Sequence, residues 1–505
     1  MRQRRAAPVR LPPGRHFAVT WGLADEFGGM TAAMLRRSRA FAAAGTPVTV
    51  LAFDARPDYP ELEARLRTRG ELGEGVSLIN LYDWLRERPD PVLPGGSLRL
   101  ERDAFTPLDP SEADAVAERA GAVVSRLRLA DDGTVLQLDH LREDGTLLLS
   151  DRRDTRRRGE PGGRSLVLCD RAGVPVRSWN RPRWLYHAWL DRLTERRPSW
   201  MIVDSKTSAR FMLDYRRRHV VTVHVVHNSH LAQADDPTAG VRESRREVLE
   251  RLDDFDAAVV LSERQREDIL AWRGPTPGLV VLPNPHRLPP AAGPADRDPR
   301  HGAVLASLDR RKRVDHALRA VLAARAETGQ RIELDVYGDG PERESLAALA
   351  AEESGIRLHG YEPAARERLL DASFLLLTSS SEGLPLVLVE AMAAGCLPIA
   401  YDIRYGPRDL IVDGVNGFLV PPGDAVALAG AIARLLALPP RRVEQMRRAA
   451  RRTAERHSEA AVIRQWPRVL LAAARRHDPA VLPAAAPVGA RAARRVLRTL
   501  RRAAG

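Results

Sequence analysis

Short apolar runs recur along the chain, each followed by a glycine-rich or polar turn and then a stretch with helical periodicity. The first run, His16 to Trp21, feeds G-L-A-D-E-F-G-G-M-T, a helix from about Met30 to Ala44 and a strand over Val48 to Phe53. Strand, glycine turn, helix, strand is half of a doubly wound domain. From about Val76 to Pro182 the pattern changes to short alternating runs, V-V-S-R-L-R-L, V-L-Q-L-D-H-L, T-L-L-L-S and S-L-V-L-C, separated by D-D-G, E-D-G and R-A-G turns. These predict an antiparallel meander inserted into the first domain. The α/β pattern returns after Trp184, with Trp200 to Asp204 and His219 to His230 reading as buried parallel strands. Phe255 to Leu270 then reads as a strand-to-helix unit with Ser262 as N-cap.

Proline density from Val280 to Arg300 ends any helix and predicts a linker. A second domain begins at Ala303. It includes a strand, a D-G turn and a helix over Leu334 to Leu346, and the run Ile356 to Tyr361. A buried strand over Phe374 to Thr378 passes through a polar turn into a helix whose first turn is marked by Pro385. Arg441 to Arg476 read as helices. The fold class is therefore α/β, two doubly wound domains with an antiparallel β-rich insertion in the first.

At 505 residues the chain is long enough for two or three domains, and its 44% hydrophobic content is that of an ordinary globular protein. No apolar run approaches the ~18 to 20 residues that span a bilayer. The start, M-R-Q-R-R-A-A-P-V-R-L-P-P-G, lacks an apolar core and does not read as a secretory signal. The two cysteines, Cys169 and Cys396, are far apart and indicate no disulfide framework, so the expected compartment is the cytoplasm. Net charge is +13, which suits nucleic acid, an anionic membrane or a polyanionic acceptor, although arginine-rich composition throughout the chain produces the same number. No zinc spacing, helix-turn-helix pattern or aromatic nucleic-acid-binding strand is present, so no nucleic-acid partner is expected. The tail after Pro479 carries Val488, Val496, Leu497 and Leu500 between arginines, a weakly amphipathic basic helix that either touches an anionic membrane or is simply solvated.

Candidate chemistry concentrates in F-L-L-L-T-S-S-S-E-G-L-P-L-V-L-V-E-A-M-A-A-G-C-L-P, Phe374 to Pro398. A helix that starts at the end of a parallel strand leaves free N–H groups, here near Leu386 and Val387, that suit a phosphate. Glu382 precedes that helix start and Glu390 lies within its first turns. Two acceptors flanking a phosphate site are a layout for a nucleotide-sugar, one carboxylate on the transferred sugar and the other on the ribose. Lysine occurs only at Lys206 and Lys312. In an otherwise arginine-using chain, Lys312 fits a compact charge held against phosphate. Three histidines, His224, His227 and His230, end one predicted strand. Metal binding is one reading of them, but strand alternation throws His224 and His227 to opposite faces, and no metal is expected. Gly28 and Gly29 precede a helix where backbone approaches a ligand or another domain closely, or where the chain merely turns.

The E-x7-E spacing after S-S-S and before E-A-M-A-x-G-C-x-P-I resembles the retaining GT-B glycosyltransferases of family 4, which have two Rossmann-like domains facing a cleft. Y-D-I-R-Y-G-P-R-D-L-I-V-D-G-V-N-G-F-L-V, Tyr401 to Val420, resembles a narrower branch. That branch comprises the poly(glycerol-phosphate) and poly(ribitol-phosphate) α-glycosyltransferases and the glycosyltransferases of serine-rich adhesins. The resemblance implies a first Rossmann-like domain over residues 1–75 and 183–285, a β-rich insertion over 76–182 and a hinge linker over 286–300. It further implies a donor-binding domain over 301–456, a crossover helix over 457–478 returning to the first domain, and a basic tail over 479–505. It implies a UDP-sugar as donor substrate, glucose or N-acetylglucosamine as the transferred sugar, and no cofactor. Implied acceptors are a cell-wall polymer such as teichoic acid, a protein or, alternatively, a lipid-linked molecule.

His227 matches the first histidine of an H-x-x-H at a strand's carboxyl edge and is expected to face the donor sugar. Lys312 matches the lysine on the donor diphosphate, with Glu382, Glu390 and Gly383 in the E-x7-E loop. Gly338 matches the G-x-G-P turn of the nucleotide pocket, and Gly28 and Gly29 match a loop at the donor-acceptor cleft. The arginine five residues before the lysine is absent and Ser307 stands there, leaving Arg310 or Arg311 to compensate. That departure keeps open a non-catalytic partner subunit. In the resembled branch the insertion serves oligomerisation or acceptor docking, so a homo-oligomer is among the expectations.

Overall fold

The structure, a computed structural model, describes residues 9–88, 92–97, 105–233, 236–286, 288, 297–351 and 353–477. The basic tail and most of the expected hinge lie outside the described residues. By its internal contacts the chain divides into two compact units, and the division falls inside one strand, after Val223.

The unit that contains Leu11–Thr31 and Phe41–Val223 opens with β1 (Arg15–Val19), β2 (Val48–Ala52) and β3 (Val76–Asn80). Most of their residues are buried, as parallel strands require. The insertion follows: β4 (Ala115–Arg119), β5 (Ala122–Leu129), β6 (Val135–Leu141), β7 (Leu147–Arg152), β8 (Ser165–Cys169) and β9 (Pro175–Trp179). All six pair antiparallel in sequence order, as the alternating runs predict. The chain then re-enters the parallel layer at β10 (Ser199–Val203), which pairs with β1 in the run β10-β1-β2-β3. Phe53, Tyr186, Trp189 and Phe211 pack ring against ring in its core. Arg86 ties the insertion to the layer by donating to the carbonyls of Val124 and Leu141 while pairing with Asp83.

The division lies within β11 (Val220–Val226). The sequence predicts a strand continuing to His230, whereas the strand stops at Val226 and His227 to His230 form the loop beyond it. A hairpin, β12 (Leu231–Gln233) with β13 (Asp236–Val241), and a parallel pair, β14 (Ala257–Val260) with β15 (Leu279–Val281), come next. The second unit then builds a six-stranded parallel sheet from β16 (His301–Leu305), β17 (Glu333–Tyr337), β18 (Ile356–Gly360), β19 (Phe374–Leu377), β20 (Leu397–Tyr401) and β21 (Phe418–Val420). Its order is β18-β17-β16-β19-β20-β21. The strand order reverses between β16 and β19, and doubly wound sheets bind ligands at the carboxyl ends flanking such a switch point. No helix among the described residues is long and apolar enough to cross a membrane.

Candidate active site

The loops leaving β16 and β19 meet at that switch point. Ser380 donates its amide to the Arg311 carbonyl at 2.7 Å, and the Thr378 hydroxyl donates to the Lys312 carbonyl at 2.9 Å. Asp309 accepts the amides of Arg311 and Lys312 and the hydroxyl of Ser307, so the β16 loop is folded on its own carboxylate. These contacts bring Lys312 Nζ to 2.5 Å from Glu382 Oε1, with Arg311 Nη1 3.3 Å from the same oxygen. Arg310 is almost wholly exposed and turns to Glu342 instead.

Beyond Glu382 the chain threads between two other backbones. A Cβ on Gly383 would sit 1.9 Å from the His227 carbonyl oxygen, so only glycine allows this approach. The Tyr405 amide donates to the Glu382 carbonyl at 3.0 Å, locking the segment from the other side. The helix Leu386–Ala394 starts immediately after. Pro385 is its N-cap rather than a residue of its first turn, and no side chain caps the amides of Leu386 and Val387. An uncapped helix start carries partial positive charge available to an anion. Lys312, Arg311, Glu382, Gly383, His227, Leu386 and Val387 are thus gathered in one region of one unit.

Glu390 is the fifth residue of that helix and is buried, which pushes its carboxyl above the ordinary range despite the nearby Arg366 and Arg36. Arg366 Nε lies 2.9 Å from Oε1 and His286 Nε2 lies 3.6 Å from it. Gly338 takes φ +146°, and a Cβ there would lie 1.7 Å from the Ala306 carbonyl oxygen, so this glycine is required where β16 and β17 end side by side. No protein atom lies within 4 Å of a Cβ built on Gly28 or Gly29, so no neighbouring backbone requires glycine at either position.

The histidines separate. His224 stacks on Phe255 and His230 on Tyr405, while His227 follows the strand end. Burial pushes His230 down to about 4. Among the described residues no cluster of histidine, cysteine and carboxylate groups is arranged to hold a metal ion. Both cysteines are free and buried. Sequence reasoning missed Asp268, which accepts from Tyr405 Oη at 2.8 Å and Arg404 Nε at 2.7 Å, and it missed His286. The R-Y-G-P-R segment that carries the narrower resemblance held the signal for the first; His286 was hidden among linker prolines.

The switch point of this doubly wound domain joins a lysine, a carboxylate and an open helix start, and the fold around it is GT-B. Residues 292–453 match the family described as glycosyl transferases group 1, and the chain is a glycosyltransferase. It is 21% identical over 477 residues to poly(ribitol-phosphate) alpha-N-acetylglucosaminyltransferase of Staphylococcus aureus (strain COL), covering 87% of this chain and 96% of that protein. Among solved structures it resembles a mutant of S. aureus TarM in complex with fondaparinux, alpha-GlcNAc-glycerol and UDP. The TM-score is 0.71 at 19% identity, over 91% of this chain and 100% of that one. It also resembles the pneumococcal O-GlcNAc transferase GtfA in complex with UDP and GlcNAc, with TM-score 0.62 at 18% identity over 91% and 99%.

Proposed function

We propose that this chain moves glucose or N-acetylglucosamine from a UDP-sugar to a hydroxyl of a polyol-phosphate polymer or a protein, with retention of the α configuration. The observation that carries the reading is the pairing of Lys312 with Glu382 at the switch point, beside an uncapped helix start. The donor resides there with its diphosphate on Lys312 and on the amides of Leu386 and Val387. As the bond between the anomeric carbon and the phosphate oxygen breaks, negative charge grows on the diphosphate, and these preorganised groups stabilise it. Glu382, released from Lys312 by the phosphates, accepts hydroxyls of the sugar, Glu390 accepts those of the ribose, and His227 faces the sugar. The leaving phosphate takes the acceptor's proton, so no separate base is needed.

The likeness to enzymes named for poly(ribitol-phosphate) and protein acceptors supports the acceptor class. In this mechanism Lys312→Ala lowers turnover of UDP-N-acetylglucosamine or UDP-glucose by about 10² or more, as loss of a preorganised charge stabiliser does elsewhere. Unchanged kinetics would remove Lys312 from the mechanism. Turnover should also survive EDTA, and its abolition would show that the charge is carried by something other than these residues.

A further inference from the structure

Glu390 lies deep, with only 8% of its side chain exposed, and its Oε1 accepts no hydrogen bond although it is buried. Such an atom costs free energy unless something satisfies it in the working state. The polar groups around it are few. Arg366 approaches from the solvent side, with its side chain 63% exposed, and makes an ion pair without hydrogen-bond geometry. From the interior comes His286, 4% exposed, with Nε2 3.6 Å from Oε1.

The tautomer of His286 follows from its other neighbour. Arg36 Nη1 lies 3.4 Å from His286 Nδ1 and also donates to the Pro285 carbonyl at 3.3 Å. A guanidinium has donors and no acceptor. Nδ1 must therefore accept, which leaves the proton on Nε2, the nitrogen that faces Glu390. Burial and the Arg36 charge, together pushing His286 down to about 3, keep the ring neutral in that form. The backbone that carries the ring is also anchored: the His286 amide donates to the His457 carbonyl at 3.2 Å, and the Glu459 amide donates to the His286 carbonyl at 2.7 Å.

We propose that His286 is a positioning residue for the nucleotide site, holding Glu390 by an Nε2–H directed at Oε1 so that the carboxylate presents its acceptor to the ribose hydroxyls. Nε2 stands 3.6 Å from Oε1, on the interior side opposite Arg366. Arg36, on the helix Gly29–Ala43, holds the ring from its Nδ1 side. This rests on the assignment of Glu390 to the ribose, and the experiment separates the two.

Dissociation constants for UDP and 2′-deoxy-UDP are measured by calorimetry on the full chain. The wild type should prefer UDP by about tenfold or more, the scale of a hydrogen bond to a charged group. His286→Phe, which keeps a ring and loses the N–H, should bring the ratio close to one while changing 2′-deoxy-UDP affinity by less than about threefold. His286→Gln, which restores an N–H at a similar reach, should recover most of the preference. A wild type that binds UDP with no preference overturns the ribose assignment. A wild type with the preference and a His286→Phe protein that retains it overturns the role of His286. Nitrogen-15 NMR of the wild-type imidazole gives a reading free of any folding defect in the variants: a proton on Nδ1 instead of Nε2 also overturns it.

Discussion

Ser307 stands where the resembled family has an arginine, and the structure shows how the loop adapts. The serine hydroxyl donates to Asp309, whose carboxylate is held below the ordinary range: burial raises it, but that serine, Arg311 and two amides outweigh the burial. The same carboxylate organises the turn that brings Arg311 to Glu382, while Arg310 points to solvent. A guanidinium beside Lys312 can supply the second positive charge that residue 307 lacks. Arg311→Ala should weaken UDP binding by about tenfold, and Arg310→Ala by less than about twofold. Adding Ser307→Arg to the Arg311→Ala protein should recover part of the loss. Equal titrations of the two single variants would refute this. Lys312 was legible in the sequence because lysine is rare in this chain and lies in a recognisable motif. His286 was not, since its meaning depends on Arg36 and Glu390, which only the folded chain brings near it.

At the scale of elements, strands were legible wherever an apolar run was closed by a polar or glycine turn, which places β16, β17 and β19 within a residue or two of expectation. The run expected to continue to His230 ends at Val226, where the apolar residues give way to the polar His227, Asn228, Ser229 and His230 of the following loop. The helix Leu386–Ala394 offers a test of amide chemistry apart from side chains. Proline is tolerated at the first helical position, and Pro385 already adopts the extended conformation that a residue before proline needs. Leu386→Pro should therefore leave the helix intact, remove one donor and weaken UDP by about three- to tenfold, with uridine affinity unchanged. Equal losses for UDP and uridine would mean that the amide does not face phosphate. Glycines separate in the same way. Gly338→Ala must displace the backbone at Ala306 and should lower the thermal midpoint by several degrees, whereas Gly28→Ala enters open space and should change it little. A reversed ranking in thermal denaturation would show that crowding at the strand ends is not what requires Gly338.

Across the whole molecule, buried histidines set the response to acid. Burial holds His230 at about 4 and His286 at about 3, and it also lowers His16, His140, His187 and His457. An unfolded histidine takes its proton near 6.5, so between that value and the folded one the unfolded chain binds more protons. Stability from these groups is present above about 6.5 and drains as pH falls toward 4, by an amount on the order of 3 kcal/mol for His230 alone. His301 works in the opposite direction. Asp335 accepts its Nε2–H at 2.7 Å and raises it, so its contribution is complete below about 6.5 and is lost as pH rises through the folded value. Among the histidines one raised group stands against several depressed ones, and the raised carboxyls of Asp54, Asp139, Glu390 and Asp409 offset part of their effect. The thermal midpoint should fall between pH 7 and pH 5, and a flat or rising midpoint would contradict the dominance of the buried histidines. His140 isolates the effect. Its ring lies 4.0 Å from that of Tyr82 in a stacked pair, and neither of its nitrogens has a hydrogen-bond partner. His140→Phe keeps an aromatic ring in the stack and removes both unsatisfied nitrogens and the titration. It should raise the midpoint by about 2–4 °C at pH 7 and by more at pH 5. A variant that melts lower at both values would mean that the imidazole is stabilised there by an interaction phenylalanine cannot replace.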